Sequence, residues 1–384
     1  MLSALNSEQK AELIRRGFTR RSFGRIASVL AAGAALPFYD ERALAQLSRI
    51  RDIPPDAVKI NANENPLGPC PEAADAIYNV IRKGGRYMYE LTDELAHTMA
   101  AMEGVSEDCV DIYAGSSAPL HQAVLAFCSK DRAFVSADPG YEAGGRAASF
   151  IGASAVNVPL KGGTWDHDVR AMLAAAPKGG LYYICNPNNP TGTLTGRADI
   201  EYLVANKPAN SVVMIDEAYI HFSKNAVRCN DLVAAGKDVI VLRTFSKLYG
   251  MAGLRAGAAL ARPDLLQKIR TFSAGAMPVT AMVGATASLK VKNLVAERSK
   301  FLAGVREDVF GWLTAQNVDF IPSETNCFMV NVKRPGKAFF ADMAKQKVYI
   351  GRSWPVWPNW VRITVGTNDE MEKFKDAFAR CYKA

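Results

Sequence analysis

One amine stands out among the groups that could do chemistry. Lys247 lies in the run Arg243-Thr-Phe-Ser-Lys-Leu-Tyr-Gly-Met-Ala-Gly-Leu-Arg255, with hydroxyls at Thr244 and Ser246 before it and a guanidinium at Arg255 after it. This setting suits a lysine that forms a Schiff base with an aldehyde cofactor. The hydroxyls and guanidinium can hold a phosphate dianion while the amine reaches the aldehyde beside it. Ser-Lys alone is more often part of an ordinary surface loop, but two upstream segments change that reading. Asn186-Pro-Asn-Asn-Pro-Thr-Gly192 follows the apolar run Leu181–Cys185, and its prolines and glycine make it a fixed loop at the end of a buried strand. Val212-Val-Met-Ile-Asp-Glu-Ala-Tyr219 is a second buried strand that ends in Asp216. A carboxylate there is costly unless paired, and a protonated pyridine nitrogen would pair it. Ligands of open α/β sheets bind outside the carboxyl ends of the strands. Three successive strand ends thus deliver Asn189, Asp216 and Lys247.

This constellation resembles the fold-type I pyridoxal-phosphate (PLP) aminotransferases of class I/II, and within them the histidinol-phosphate aminotransferase branch. Further matches are Asn61-Ala-Asn-Glu-Asn-Pro66, Ser323-Glu-Thr-Asn326 and Val361-Arg-Ile-Thr-Val-Gly-Thr367, so the resemblance runs over roughly residues 55–380. It implies an enzyme that moves an amino group between an amino acid, or a histidinol-phosphate-like amine, and a 2-oxo acid.

The resemblance also implies a role for each residue. Lys247 carries the cofactor as a Schiff base, then serves as base and acid for the proton shift. Asp216 keeps the pyridine nitrogen protonated, which makes the ring an electron sink. Asn189 and Tyr219 hydrogen-bond the ring's phenolate oxygen, and Tyr141 stacks on its face. Ser116 and Ser117 hold the phosphate at a helix N-terminus, with Thr244, Ser246 and Arg255 completing the cup. Arg362 clamps the substrate anion in a bidentate fork, with Arg352 as a second anion contact and Asn63 as a further substrate-binding residue. Tyr87 reaches the cofactor phosphate of a second subunit, which implies a homodimer. Met88 stands where relatives carry proline. Two rival readings use the same scaffold: a decarboxylase of an amino-acid phosphate, and a non-catalytic PLP or amino-acid binding protein.

The elements that must position these groups alternate. Strands are expected at Cys109–Tyr113, Ala133–Ser136, Ala155–Pro159, Leu181–Cys185, Val212–Asp216, Val239–Arg243 and Ala256–Leu260, with helices between them. This is the pattern of a mostly parallel seven-stranded α/β sheet between helix layers. Beyond about residue 275 a single long helix, Ala285–Asn317, precedes short strands at Cys327–Val332 and Val361–Val365 and a terminal helix from Asp369, which reads as a smaller α+β unit. The expected division is 1–45 leader, 46–85 arm and part of the small domain, 86–275 large cofactor-binding domain, and 276–384 small domain. Ser353-Trp-Pro-Val-Trp-Pro-Asn-Trp360 departs from the biosynthetic relatives. Its tryptophans either line a pocket for an aromatic or cationic side chain or pack the small domain on the large one.

Composition narrows the class. With 384 residues, 49% of them apolar, the chain can bury a large core. The net charge is +8. Residues 1–45 account for +3 of it, and no basic block is interleaved with aromatics, which argues against nucleic acid. The seven cysteines are scattered without a CxxC pair, and the four histidines show no ligand spacing, so neither a disulfide framework nor a metal site is expected.

The N-terminus reads as an address. Thr19-Arg-Arg-Ser-Phe-Gly-Arg25 precedes the apolar stretch Ile26–Leu36 and a small-x-small site at Ala43-Leu-Ala45. The pattern resembles a twin-arginine export signal, and the stretch is too short to span a bilayer, which needs roughly 20 residues. It implies the twin-arginine machinery as a partner and periplasmic export in the folded, cofactor-loaded state. The alternatives are an amphipathic helix docked on the protein, or a cryptic signal on a cytoplasmic enzyme.

Overall fold

The computed structural model describes residues 53–273 and 275–383. The twin-arginine run and the cleavage site lie outside the described residues. The described residues form twelve strands: β1 Val58–Ile60, β2 Val110–Tyr113, β3 Phe134–Asp138, β4 Ala155–Pro159, β5 Leu181–Cys185, β6 Val212–Asp216, β7 Val239–Thr244, β8 Gly257–Ala261, β9 Phe320–Ile321, β10 Cys327–Asn331, β11 Val348–Ile350 and β12 Trp360–Thr364.

Seven of these form one sheet in the order β2-β8-β7-β6-β5-β3-β4. Only β8 runs against the others: it pairs antiparallel with both β2 and β7, while β7, β6, β5, β3 and β4 pair in parallel. The alternation along each strand divides the core. Leu181, Tyr183 and Cys185 of β5 face one apolar cluster with Met214 and Leu242, whereas Tyr182 and Ile184 face a second with Ile215 and Val241. Burial on both faces explains why these strands read as continuous apolar runs.

The shared direction of β2, β3, β5, β6 and β7 brings their carboxyl ends to one edge. From that edge extend Ser116 and Ser117 after β2, Tyr141 after β3, Asn189 after β5, Asp216 at the end of β6, and Lys247 after β7. Arg255 returns to the same edge because it precedes β8, where Thr244 is in register with Gly257.

A second, antiparallel sheet has the order β12-β10-β9, with Arg362 opposite Met329 and Thr364 opposite Cys327. The pair β1–β11 links the start of the described chain to this C-terminal region, with Val58 in register with Val348. The expected single helix Ala285–Asn317 is corrected to two, Val279–Lys290 and Leu294–Ala315. Val291 takes an extended conformation (ψ 106°) at the break, and no proline or glycine marks it in the sequence. The terminal helix, Asn368–Tyr382, starts on a capping box between Thr367 and Glu370. No helix among the described residues is long and apolar enough to cross a membrane.

Candidate active site

Lys247 is buried, and its Nζ lies 3.5 Å from the Ala62 carbonyl oxygen and 5.7 Å from the centre of the Tyr219 ring. Asp216 is buried at the end of β6. Its Oδ2 accepts from the Tyr183 hydroxyl at 2.8 Å and its Oδ1 from the Ala218 amide at 3.1 Å. Burial pushes its pKa up to about 6, against these two hydrogen bonds and the charge of Lys247. A cation beside Asp216 would offset this desolvation.

Tyr219 is held from the N-terminal arm. Asn63 donates from Nδ2 to the Tyr219 hydroxyl at 2.9 Å and to Cys327 Sγ at 3.1 Å, while Thr364 donates to Asn63 Oδ1 at 3.1 Å. Asn63 is fully buried with φ 53°, in the left-handed region that asparagine tolerates better than most residues. Its amide is engaged by protein, so in this structure Asn63 positions Tyr219.

The residues expected to hold a phosphate come from three turns. The helix Ser117–Phe127 begins directly after Ser116. Thr244 donates to Ser246 Oγ at 3.0 Å, and Arg255 donates from Nη1 to the same oxygen at 3.2 Å. Tyr141 Oη lies 3.5 Å from Ser117 Oγ. Gly115 makes the close approach possible: it has φ +85°, and a Cβ there would sit 2.2 Å from Arg255 Nη2.

Arg362 meets Asn189 from the opposite side. Its Nη1 donates to Asn189 Oδ1 at 2.9 Å and its Nη2 to the Asn61 carbonyl at 2.8 Å, while its buried Nε has no hydrogen-bond partner among the described residues. An anionic substrate group would satisfy that donor. Arg352 instead forks onto Glu142, Nη1 to Oε1 at 3.2 Å and Nη2 to Oε2 at 3.0 Å. Trp354 is buried and donates from Nε1 to the Gly140 carbonyl at 3.0 Å, so it packs the strap after β11 onto the loop after β3. Trp357 and Trp360 cluster with Trp165, whose ring centre is 5.1 Å from that of Trp357. Tyr87 lies apart from these groups, 67% exposed and stacked on Tyr89 at 5.6 Å.

Several contributors escaped the sequence reading: Tyr183, Glu142, Thr364, and a buried network beneath the site. In that network Arg243 donates to both oxygens of Glu103, at 2.8 and 2.9 Å, and also to Glu217, the neighbour of Asp216. The run Asp-Glu-Ala-Tyr held a signal for it, since a second carboxylate in a buried segment demands a cation.

The fold brings to one edge of an α/β sheet a buried lysine, a buried strand-end carboxylate, a group of hydroxyls with Arg255, and a second arginine. Residues 55–378 match the family Aminotransferase class I and II. The chain is 31% identical to histidinol-phosphate aminotransferase of Moorella thermoacetica, over 83% of this chain and 84% of that protein. It is 35% identical to aromatic amino acid aminotransferase of Nocardia farcinica, over 83% and 90%. A solved structure from Erwinia carotovora atroseptica, provisionally assigned as a histidinol-phosphate aminotransferase, superposes with TM-score 0.82 at 31% identity, covering 85% of this chain and 96% of that one. The chain therefore belongs to the class I and II aminotransferase family. It has the fold of fold-type I PLP enzymes and is a PLP-dependent aminotransferase.

Proposed function

We propose that Lys247 carries pyridoxal 5′-phosphate and that the enzyme transaminates a small amino acid or amine, as a homodimer in the periplasm. The observation that carries this reading is Asp216, a carboxylate buried at a strand end near Lys247, whose hydrogen-bond donors among the described residues, Tyr183 and the Ala218 amide, are neutral. The cofactor residues fit the group: Ser116, Ser117, Thr244, Ser246 and Arg255 would take its phosphate, and Tyr141 would pack on its ring. When bound, the cofactor supplies an electron sink for the bond broken at the substrate carbon. Asp216, ionised opposite the ring nitrogen, would keep that nitrogen protonated. Tyr219 and Asn189 would hold the ring oxygen. Lys247, once released, would move the proton between substrate and cofactor. Arg362 would orient the substrate anion through its fork.

Dimer formation is supported by the exposed Tyr78, Ile81, Tyr87 and Tyr89, which a second copy would cover. Sedimentation should give twice the chain mass, and a monomer would count against the role of Tyr87. Export rests on Arg20 and Arg21. Changing both to lysine should retain the protein in the cytoplasm, and a wild-type protein that stays cytoplasmic would contradict export.

The test of the function is the cofactor's visible absorbance in purified holoenzyme, followed with aromatic amino acids and histidinol phosphate. Donor-dependent conversion of the cofactor to its amine form, with release of an oxo product, supports transamination. Release of CO2 would favour the decarboxylase, and a cofactor that never converts would favour a binding protein.

A further inference from the structure

Arg352 and Arg362 approach one indole: their guanidinium carbons lie 4.0 and 5.8 Å from the centre of the Trp354 ring. They are used differently. The acceptors on Arg362, Asn189 and the Asn61 carbonyl, are neutral, and its buried Nε has no partner among the described residues. Arg352 is neutralised by Glu142 in a two-point fork. Glu142, directly before the helix Ala143–Phe150, is also held by Arg146 of that helix, which donates to the same Oε2 at 2.7 Å. The Glu142–Arg352 pair is mostly shielded, with side-chain exposures of 30% and 11%, so it is stronger and less screened than a surface pair.

We infer that Glu142 determines side-chain selectivity by occupying Arg352. This rests on the transaminase reading above. With Arg352 matched, the site offers one anion clamp, Arg362. It therefore takes donors with a single anionic group and an uncharged remainder. A donor with a second carboxylate or a distal phosphate must displace Glu142 from Arg352, leaving that carboxylate beside the incoming anion. Like charges in such a setting are strongly unfavourable, and rejection by an unpaired charge is how sites exclude near-substrates.

The experiment is the single-turnover half-reaction of holoenzyme with L-phenylalanine and with L-glutamate, read by the cofactor's absorbance. Binding of 3-phenylpropionate and succinate, measured by calorimetry, gives the same comparison without turnover. Wild type should favour the mono-anionic member of each pair. In Glu142→Gln the glutamate-to-phenylalanine ratio, and the succinate-to-phenylpropionate affinity ratio, should rise at least about tenfold, the scale of a charged hydrogen bond. Adding Arg352→Met to that variant should abolish the rise. A holoenzyme that turns over phenylalanine but whose ratios stay within about threefold in Glu142→Gln overturns this inference alone. A holoenzyme that converts no donor removes the transaminase reading, and this inference with it.

Discussion

Asn63 and Tyr219, 156 residues apart, are joined by a hydrogen bond of 2.9 Å in which the amide donates to the phenol oxygen. This bond fixes the position of the phenol oxygen, which Tyr219 would present to the cofactor's ring oxygen. Asn63→Ala should lower kcat about tenfold, the cost of one buried hydrogen bond of about 1–1.5 kcal/mol. It should also shift the pH at which the bound cofactor's absorbance changes. An unaltered titration would show that Asn63 does not act through Tyr219.

Asp216 makes a pH-dependent prediction. Its folded pKa, about 6, lies above the ordinary value of 3.8. Its stabilising contribution is therefore fully present below about pH 4 and is lost as pH rises through 6. Relative to Asp216→Asn, cofactor-free wild type should lose on the order of 3 kcal/mol of stability between those limits. Cofactor should restore that loss in wild type only. Denaturant titrations of both proteins at about pH 4 and 7 check this, and a difference that does not vary with pH contradicts it. Activity of Asp216→Asn should fall at least about a hundredfold, as expected for loss of a fixed electrostatic partner.

Gly115→Ala tests the phosphate cup. The added methyl would lie 2.2 Å from Arg255 Nη2 and 2.9 Å from Cζ, so Arg255 must leave its place by Ser246. Cofactor affinity should weaken roughly tenfold to a hundredfold, the scale of a charge-assisted hydrogen bond. Equilibrium titration with pyridoxal phosphate measures it, and an unchanged affinity would remove Arg255 from the cup.

The chemistry was legible where it sits in contiguous runs at strand ends. Leu181–Cys185, Val212–Asp216 and Val239–Thr244 are apolar on both faces because both faces are buried, and the polar residues that follow them are necessarily at the sheet edge. Pairings between distant segments were not legible. Glu142 and Arg352 are 210 residues apart, and nothing local to either identifies the other. The same holds for Asn63 with Tyr219, and for Glu103 with Arg243. The break at Val291 escaped because Lys292 and Asn293 are compatible with a continuing helix and only tertiary packing divides it. Trp354 stands out in the sequence, but its partner, the Gly140 carbonyl, is a backbone atom that no side-chain pattern reveals.

The most direct test of Lys247 is chemical. Holoenzyme reduced with borohydride, digested and read by mass spectrometry should carry the pyridoxyl phosphate group on the peptide containing Lys247, and Lys247→Ala should carry none. A label on another lysine, or no label on wild type after incubation with the cofactor, would contradict the assignment of this residue and the site built around it.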